Sequence, residues 1–521
     1  MCGIIGIVTK QKRNIIPDII GALSRLEYRG YDSAGISFVK PVQGRDRGVE
    51  INSPDYKSEN YIYKCLGAPS INMHASDIYE KLQISSPEVH IGIGHNRWAT
   101  HGVPSIINAH PHTDINFEVS VVHNGTILNY EILKKDLEDK NVKFNSDTDT
   151  EVIPQMIAFY IRSGMDMRRA FETTINRLEG GFGILAYHKD NDKVLYIAKQ
   201  GSPIVIGLTK DSYYVSSSLH GFLPFTDKYL NMEDGEMAII DLNEDVDNSL
   251  EVYKYKDINK IRVEKNIEIS KDYKLEDLSK GEYETFMLKE IYEQPATIKA
   301  TMLGRIDPES FDARLGGLID SADYLKNIKN ILFTACGTAY NSGLVASYII
   351  ENMTDIICRN EIASEGKYKK NNLDKESSAV FAISQSGETA DTLEYVKELN
   401  NQNYKTFGII NVVGSAIAKE CAGGVYTRAG TEVGVASTKA FTSQLVVMYL
   451  LALYFARKRG MNILEAKKYI KDLESIPDKI IEILRKENVS KIQQISSKYK
   501  NIKRYNLWVE VYIFLLQSRL H

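Results

Sequence analysis

The sequence predicts a two-part protein, a strand-rich α+β half followed by an α/β half built on a doubly wound parallel sheet. Three observations carry this reading. Up to about residue 255, short apolar runs end in polar clusters and few long helices intervene. From about 256 to 285 the composition turns to Lys, Asp and Glu, which reads as a linker. Beyond it the rhythm becomes strand, Gly-rich turn, long helix, and short apolar strands alternating with helices imply a parallel sheet covered on both faces.

Taken in order, strands are expected at Ile4–Val8, Val89–Gly94, Val119–Val122 and Phe182–Tyr187, with helices at Ile16–Arg25 and Asp149–Ile161. The stretch from about 42 to 88 is polar and weakly periodic, and reads as a surface insertion rather than core. In the second half, strand Ile331–Ala335 leads through Cys336–Gly343 into a helix. Ala379–Ser384 leads through Gln385–Glu388 into Thr389–Leu399, and Thr406–Val412 runs into Gly414 and Ser415. A helix is expected from Ser437 and Thr438 to the basic turn before Gly460, then helices near 462–474 and 476–487, and a strand beginning near 501.

At 521 residues the chain exceeds what one core supports. Apolar content of 43% with 25% charged residues is that of a soluble globular protein. The net charge of −4, with both signs well mixed, argues against nucleic-acid or membrane-surface partners. Five cysteines, without a Cys-x-x-Cys or Cys/His cluster, argue against a disulfide framework or a metal site. The apolar start lacks a basic flank, so it is not a signal peptide. The longest apolar run, Leu445 to Phe455, falls short of the roughly 20 residues a bilayer needs. A cytoplasmic protein is expected, with neither metal nor organic cofactor.

Four stretches of the first half hold groups suited to acyl transfer. Cys2 becomes an amino-terminal residue if Met1 is removed, and an α-amino group with a pKa of roughly 7.7–8.0 then lies beside its thiol. Leu26–Gly35 is a dense polar and aromatic cluster, and Gly94–Gly102 follows a strand directly. His123-Asn124-Gly125 also follows a strand, with Thr148-Asp149-Thr150-Glu151 further on. An Asn side chain beside a Gly backbone N–H can stabilise an oxyanion. A zwitterionic amino acid needs a guanidinium and a carboxylate, for which Arg97 and Asp149 are candidates. Each stretch alone also has a structural reading as a turn, helix start or surface contact.

Met-Cys-Gly-Ile, Glu-Tyr-Arg-Gly-Tyr-Asp-Ser-Ala-Gly, Arg-Trp-Ala-Thr-His-Gly, His-Asn-Gly and Thr-Asp-Thr-Glu, in this order, resemble the class II glutamine amidotransferase domain of the glutamine–fructose-6-phosphate aminotransferase family. The resemblance spans nearly all of residues 2–250 apart from 42–88. It implies the four-layer αββα fold of N-terminal-nucleophile hydrolases. It also implies Cys2 as nucleophile, Asn124 and Gly125 as the oxyanion hole, and Arg97 and Asp149 on glutamine. Trp98, Thr100 and His101 would belong to a loop closing over glutamine, with Trp98 gating ammonia.

In the second half, Ser384–Thr392 follows a strand and opens a helix, where hydroxyls and backbone N–H groups suit a phosphate monoester. It is neither Gly-x-Gly-x-x-Gly nor a Walker sequence, and an ordinary Ser/Thr-capped turn is the alternative. With Cys336–Gly343, Glu361–Glu365 and Gly430–Lys439 it resembles the first sugar-isomerase (SIS) domain of the same family. That implies Thr338, Ser384, Gln385, Ser386 and Thr389 on the fructose 6-phosphate phosphoryl group, and Val435 and Ser437 on the sugar. Ala339 stands where many members have serine, and Gly366 where an aromatic is common.

The organisation implied is an amidotransferase domain over 2–255, linker and helical lead-in over 256–320, a first SIS domain over 321–460, and a connector with the start of a second SIS domain over 461–521. A homodimer is expected for the full-length family member. The tail Asn506–His521 does not fit the family. Read one base out of frame, it can encode a Gly-Arg-Gly strand-turn like the family's, so a frameshift near residue 505 is expected to remove the isomerisation residues. Phosphoribosyl transfer and asparagine synthesis are disfavoured because their acidic and Gly-rich loops are not found. Glutaminase activity alone, or a sugar-phosphate-binding module, remain as alternatives.

Overall fold

A computed structural model describes residues 2–41, 58–99, 101–244, 249–257, 261–269, 280–434 and 436–499. The strand expected near 501 and the tail Asn506–His521 lie outside the described residues, as do Thr100 and Val435. Two compact units are present, the first comprising Met1–Met287 with Val433–Ala436 and the second Leu288–Glu432 with Ser437–His521.

The first unit contains strands β1 (Gly3–Arg13), β2 (Ser33–Pro41), β3 (Ser58–Leu66), β4 (Val89–Arg97), β5 (His112–Thr113), β6 (Val119–Ile127) and β7 (Gly180–His188). It continues with β8 (Val194–Gln200), β9 (Val205–Leu208), β10 (Ser212–Ser216), β11 (Lys228–Asn231), β12 (Glu236–Asp241), β13 (Leu250–Lys254) and β14 (Glu268–Ile269). They form an eight-stranded sheet of order β14-β11-β9-β10-β1-β4-β2-β3 and a six-stranded sheet of order β13-β12-β8-β7-β6-β5.

Side-chain alternation explains why these strands read as continuous apolar runs. Along β1, Ile4 and Val8 pack with Val122, Leu185 and Leu195 of the other sheet. Ile5 and Ile7 face Ile16, Ile19 and Leu23 of the helix Ile16–Arg25. Along β7, Leu185 and Tyr187 point between the sheets, whereas Phe182, Ile184 and Ala186 meet Ile153, Met156 and Phe171 on outer helices. Successive residues take opposite faces, and both faces are buried. The four layers are helix, sheet, sheet, helix, as the resemblance implies.

The stretch 42–88 corrects one expectation. Its described part supplies β3, which pairs along the whole of β2, and Tyr63, Cys65, Met73 and Ile78 are buried in the core. Tyr61 stacks on Phe38 with ring centroids 5.6 Å apart. An edge strand needs only alternate apolar residues, which its polar neighbours diluted below recognition.

The second unit holds a parallel sheet of β15 (Asn330–Ala335), β16 (Ile357–Ile362), β17 (Ser378–Ser384), β18 (Lys405–Ile410) and β19 (Gly423–Tyr426), in the order β16-β15-β17-β18-β19. Phe333, Phe381 and Phe407 face the helix Lys439–Lys458 and its neighbours. Leu332 and Val380 face Tyr395 and Leu399 of the helix Ala390–Asn401. The helix Lys439–Lys458 is long and apolar enough to cross a membrane by composition. Its Val447, Leu450, Leu451 and Phe455 instead form the core against the sheet.

Instead of two short helices after residue 462, one helix runs Ile463–Ile483 straight through Pro477, and another follows at Lys486–Tyr499. Asn462 caps the first by accepting from the Glu465 N–H at 2.9 Å. Proline removes one helical N–H, and burial of Ala466, Ile470 and Leu473 in the preceding turns holds the helix together.

Candidate functional site

The register Gly3↔Asn96 between β1 and β4 carries Cys2 to the end of β4. There the Trp98 backbone N–H donates to Cys2 Sγ at 3.2 Å. From the other sheet, Asn124 Nδ2 donates to the Cys2 carbonyl at 2.8 Å. Burial pushes the Cys2 thiol up, and the Asp32 carboxylate adds to that rise. The Trp98 backbone donor and the Arg97 charge act in the opposite direction. Asp32 also holds the turn after β4, because its carboxylate accepts from the Ala99 N–H.

Gly125 follows Asn124 at φ +128°, and a Cβ there would lie 2.0 Å from the Gly181 carbonyl oxygen, so only glycine fits. Asp149 is buried, and its Oδ2 accepts from the Ile127 N–H at 2.8 Å, two residues beyond Gly125. Arg97 is 3% exposed. Its guanidinium donates to the carbonyls of His101, Gly102 (2.9 Å) and Val103 (3.4 Å). Among the described residues no carboxylate forms an ion pair with it. Trp98 is 40% exposed and meets Tyr31 edge to face, with centroids 5.4 Å apart. His101 lies beside Tyr130, ring centroids 5.6 Å apart.

Behind Asn124 lies a buried histidine cluster to which the motifs assign no role. His95 Nε2 approaches the His123 carbonyl at 3.0 Å and Asn124 Oδ1 at 3.1 Å. His95 stacks on His110 with centroids 4.0 Å apart. The Thr150 hydroxyl bridges His110 Nε2 at 3.0 Å and His123 Nδ1 at 2.9 Å. His112 Nε2 meets Thr148 Oγ1 at 3.1 Å. Burial lowers all four histidines, His95 to about 3, so they are neutral near pH 7. The available signal was density, since six of the ten histidines fall between residues 90 and 123.

In the second unit the order of the parallel strands reverses between β15 and β17, where the turns after both strands share one sheet edge. Thr392 Oγ1 meets Cys336 Sγ at 3.8 Å across these turns. Ser384 Oγ accepts from the Gly387 N–H at 2.9 Å and lies 3.2 Å from Thr389 Oγ1. Ser386 Oγ accepts from the Glu388 N–H at 3.1 Å, and the Gln385 carbonyl from the Asn411 N–H at 3.3 Å. Gly387 has φ +68°, and a Cβ there would stand 1.9 Å from Ser415 Oγ. Thr338 opens the helix Thr338–Met353, directly after Gly337. Thr389 is the N-cap residue of the helix Ala390–Asn401.

Ser437 Oγ donates to Glu432 Oε2 at 2.8 Å, while Oε1 accepts from the N–H groups of Thr438 and Ala440. Glu432 is therefore the cap of the long helix Lys439–Lys458, in place of the expected Ser437 or Thr438 side chain. Ala339 is buried in the core. Beside Gly366 the Tyr395 ring fills the space, since a Cβ on Gly366 would lie 2.4 Å from it.

Residues 80–278 match the glutamine amidotransferase domain family and residues 324–454 match the SIS domain family. The glutamine–fructose-6-phosphate aminotransferase (isomerizing) of Chlorobaculum tepidum is 36% identical over 508 residues, covering 96% of this chain and 77% of that protein. The protein of that name from Clostridium tetani is 38% identical over 498 residues, covering 94% and 75%. Among solved structures, the C-terminal domain of glucosamine-fructose-6-phosphate aminotransferase from Francisella tularensis is 37% identical, covers 43% of this chain and 62% of that chain, and gives a TM-score of 0.40. The chain belongs to the glutamine–fructose-6-phosphate aminotransferase family.

Proposed function

We propose that this chain takes the amide nitrogen of glutamine through Cys2 and delivers it to fructose 6-phosphate, giving glutamate and glucosamine 6-phosphate. The observation that carries the proposal is the convergence of the Trp98 N–H and the Asn124 amide on Cys2.

Removal of Met1 leaves the Cys2 α-amino group as the base for its thiol, whose deprotonation burial otherwise disfavours. The thiolate attacks the glutamine amide carbon. Asn124 Nδ2 and the Gly125 backbone N–H stabilise the oxyanion, ammonia leaves, and water hydrolyses the γ-glutamyl thioester. Arg97 binds the glutamine α-carboxylate. A buried guanidinium that, among the described residues, meets only carbonyls favours an anionic ligand, because carbonyl dipoles leave its charge uncompensated. Asp149 takes the ammonium group, and Trp98, Thr100 and His101 form the covering loop.

At the second site Thr338, Ser384, Gln385, Ser386 and Thr389 cradle the phosphoryl group, with Val435 and Ser437 toward the sugar. The support is the convergence of hydroxyls, a glycine turn and a helix start at the switch between β15 and β17. The domains follow the organisation expected above, the chain works in the cytoplasm, and the full-length family member is a homodimer.

Glutamate release and glucosamine 6-phosphate formation, assayed separately on the purified chain, test the proposal. Both products support it. Glutamate without the aminosugar overturns the transfer step in favour of glutaminase activity alone, and the absence of both products overturns the whole reading.

A further inference from the structure

The amide of Asn124 lies between the Cys2 carbonyl oxygen on one side and the His95 imidazole on the other. His95 Nε2 is within hydrogen-bond distance of the His123 backbone carbonyl, which only accepts. The ring must therefore carry its proton on Nε2, and the Asn124 atom facing the same nitrogen at 3.1 Å must be the carbonyl oxygen. Nδ2 is then turned to the Cys2 carbonyl, itself an acceptor, at 2.8 Å. Rotating the amide by half a turn would set N–H against N–H on one side and oxygen against oxygen on the other. One imidazole tautomer thus selects which face of Asn124 looks at the nucleophile.

We infer that His95 is a positioning residue for glutamine hydrolysis, fixing the Asn124 amide with its donor toward the reacting carbonyl, and that Thr150 holds the rings behind it. This rests on the proposed role of Cys2 and Asn124. The Thr150 hydroxyl has one proton and two imidazole nitrogens to meet, so it donates to one of His110 and His123 and accepts from the other. His110 stacks on His95, and His123 belongs to the backbone segment that carries Asn124. Thr150 also adjoins Asp149, so the groups facing the substrate ammonium and the oxyanion share one buried scaffold. Burial lowers the proton affinity of these rings, which makes them poor bases and suits them to orientation.

The test compares His95→Gln, which keeps an amide donor, with His95→Met, which has similar bulk and no donor. Asn124→Ala, Cys2→Ala and the double variant His95→Met/Asn124→Ala complete the set, all in the full chain. His95→Met is expected to lower kcat for glutamine hydrolysis by at least about 10-fold and by no more than the roughly 100- to 1,000-fold cost of losing one oxyanion donor outright, with KM within about threefold. His95→Gln should recover most of that loss. In the Asn124→Ala background His95→Met should add less than about twofold, because the donor it positions is already gone. Iodoacetamide should alkylate Cys2 equally fast in wild type and His95→Met.

Wild-type kcat in folded His95→Met, or losses that multiply in the double variant, would overturn the inference. If His95→Met does not fold by circular dichroism, Thr150→Val in the same cycle with Asn124→Ala decides on the same criteria. Full glutaminase activity in Cys2→Ala would instead overturn the reading of the site itself. Inactive Cys2→Ala with an indifferent His95→Met sinks only the positioning role.

Discussion

Asn124 Nδ2 donates to the Cys2 carbonyl at 2.8 Å, and that bond joins the two sheets of the first unit. Cys2 precedes β1 of the eight-stranded sheet, and Asn124 lies on β6 of the six-stranded one. The relative placement of Cys2 and Asn124, the proposed nucleophile and oxyanion donor, is thus set by the packing of Ile4, Val8, Val122 and Leu185 between the layers. Repacking that interior would move one against the other.

Asn124→Ala is expected to reduce kcat for glutamine hydrolysis by about 100- to 1,000-fold, roughly 2.7–4 kcal/mol of transition-state stabilisation, with KM nearly unchanged. Steady-state assays of glutamate release check it. A rise in KM alone would place Asn124 in ground-state binding.

Gly125→Ala should unsettle the fold as well as the site. Its φ of +128° and the Gly181 oxygen, 2.0 Å from where the alanine methyl would sit, leave no room. Backbone strain alone costs about 1–3 kcal/mol. Thermal melting should show a lower Tm together with loss of glutaminase activity, whereas an unchanged Tm would contradict this reading of the turn.

Stability should fall as the medium is acidified. His95, His110, His112, His123 and His220 are held neutral by burial, His220 near about 4 and His95 near about 3. The unfolded chain protonates each near pH 6.5, so below that value it binds more protons than the folded one. Their contribution is present above pH 6.5 and is lost as pH falls toward the folded values, at up to about 1.4 kcal/mol per histidine per pH unit. Melting at pH 7.5 and 5.5 should show a clear drop in Tm. Equal Tm values would mean that the cluster is hydrated and free to charge.

Ser384→Ala should leave the parallel sheet folded and weaken phosphate binding. Ser384 Oγ holds the turn through Gly387 and faces Thr389. Losing one hydroxyl of the proposed phosphate cradle and its turn bond costs about 1–3 kcal/mol, or roughly 5- to 150-fold in Kd. Calorimetric titration with fructose 6-phosphate measures it, and unchanged affinity would move the ligand elsewhere.

Much of this was legible because chemistry and periodicity coincide in the sequence. Ile4–Val8 reads as a strand and Ser384–Thr392 as a turn opening a helix, since each needs only neighbouring residues. The core role of Tyr63, Cys65 and Ile78 was not legible, because a half-buried edge strand has alternate apolar positions and a polar surround. The capping of the helix Lys439–Lys458 by Glu432 depends on a loop folding back over six to eight residues. The break expected between 474 and 476 is absent because local propensity omits the burial that sustains one helix across it. The histidine cluster was visible only as density, for its bonds run between strands far apart in sequence.

The central claim is that Cys2, as the amino-terminal residue, is the nucleophile for glutamine. The most direct measurement is peptide mass analysis of the purified chain after exposure to the glutamine-derived diazoketone 6-diazo-5-oxo-L-norleucine. The expected result is an amino-terminal peptide that begins at Cys2 and carries the adduct on its sulfur. A peptide retaining Met1, or an adduct absent from Cys2, would contradict it.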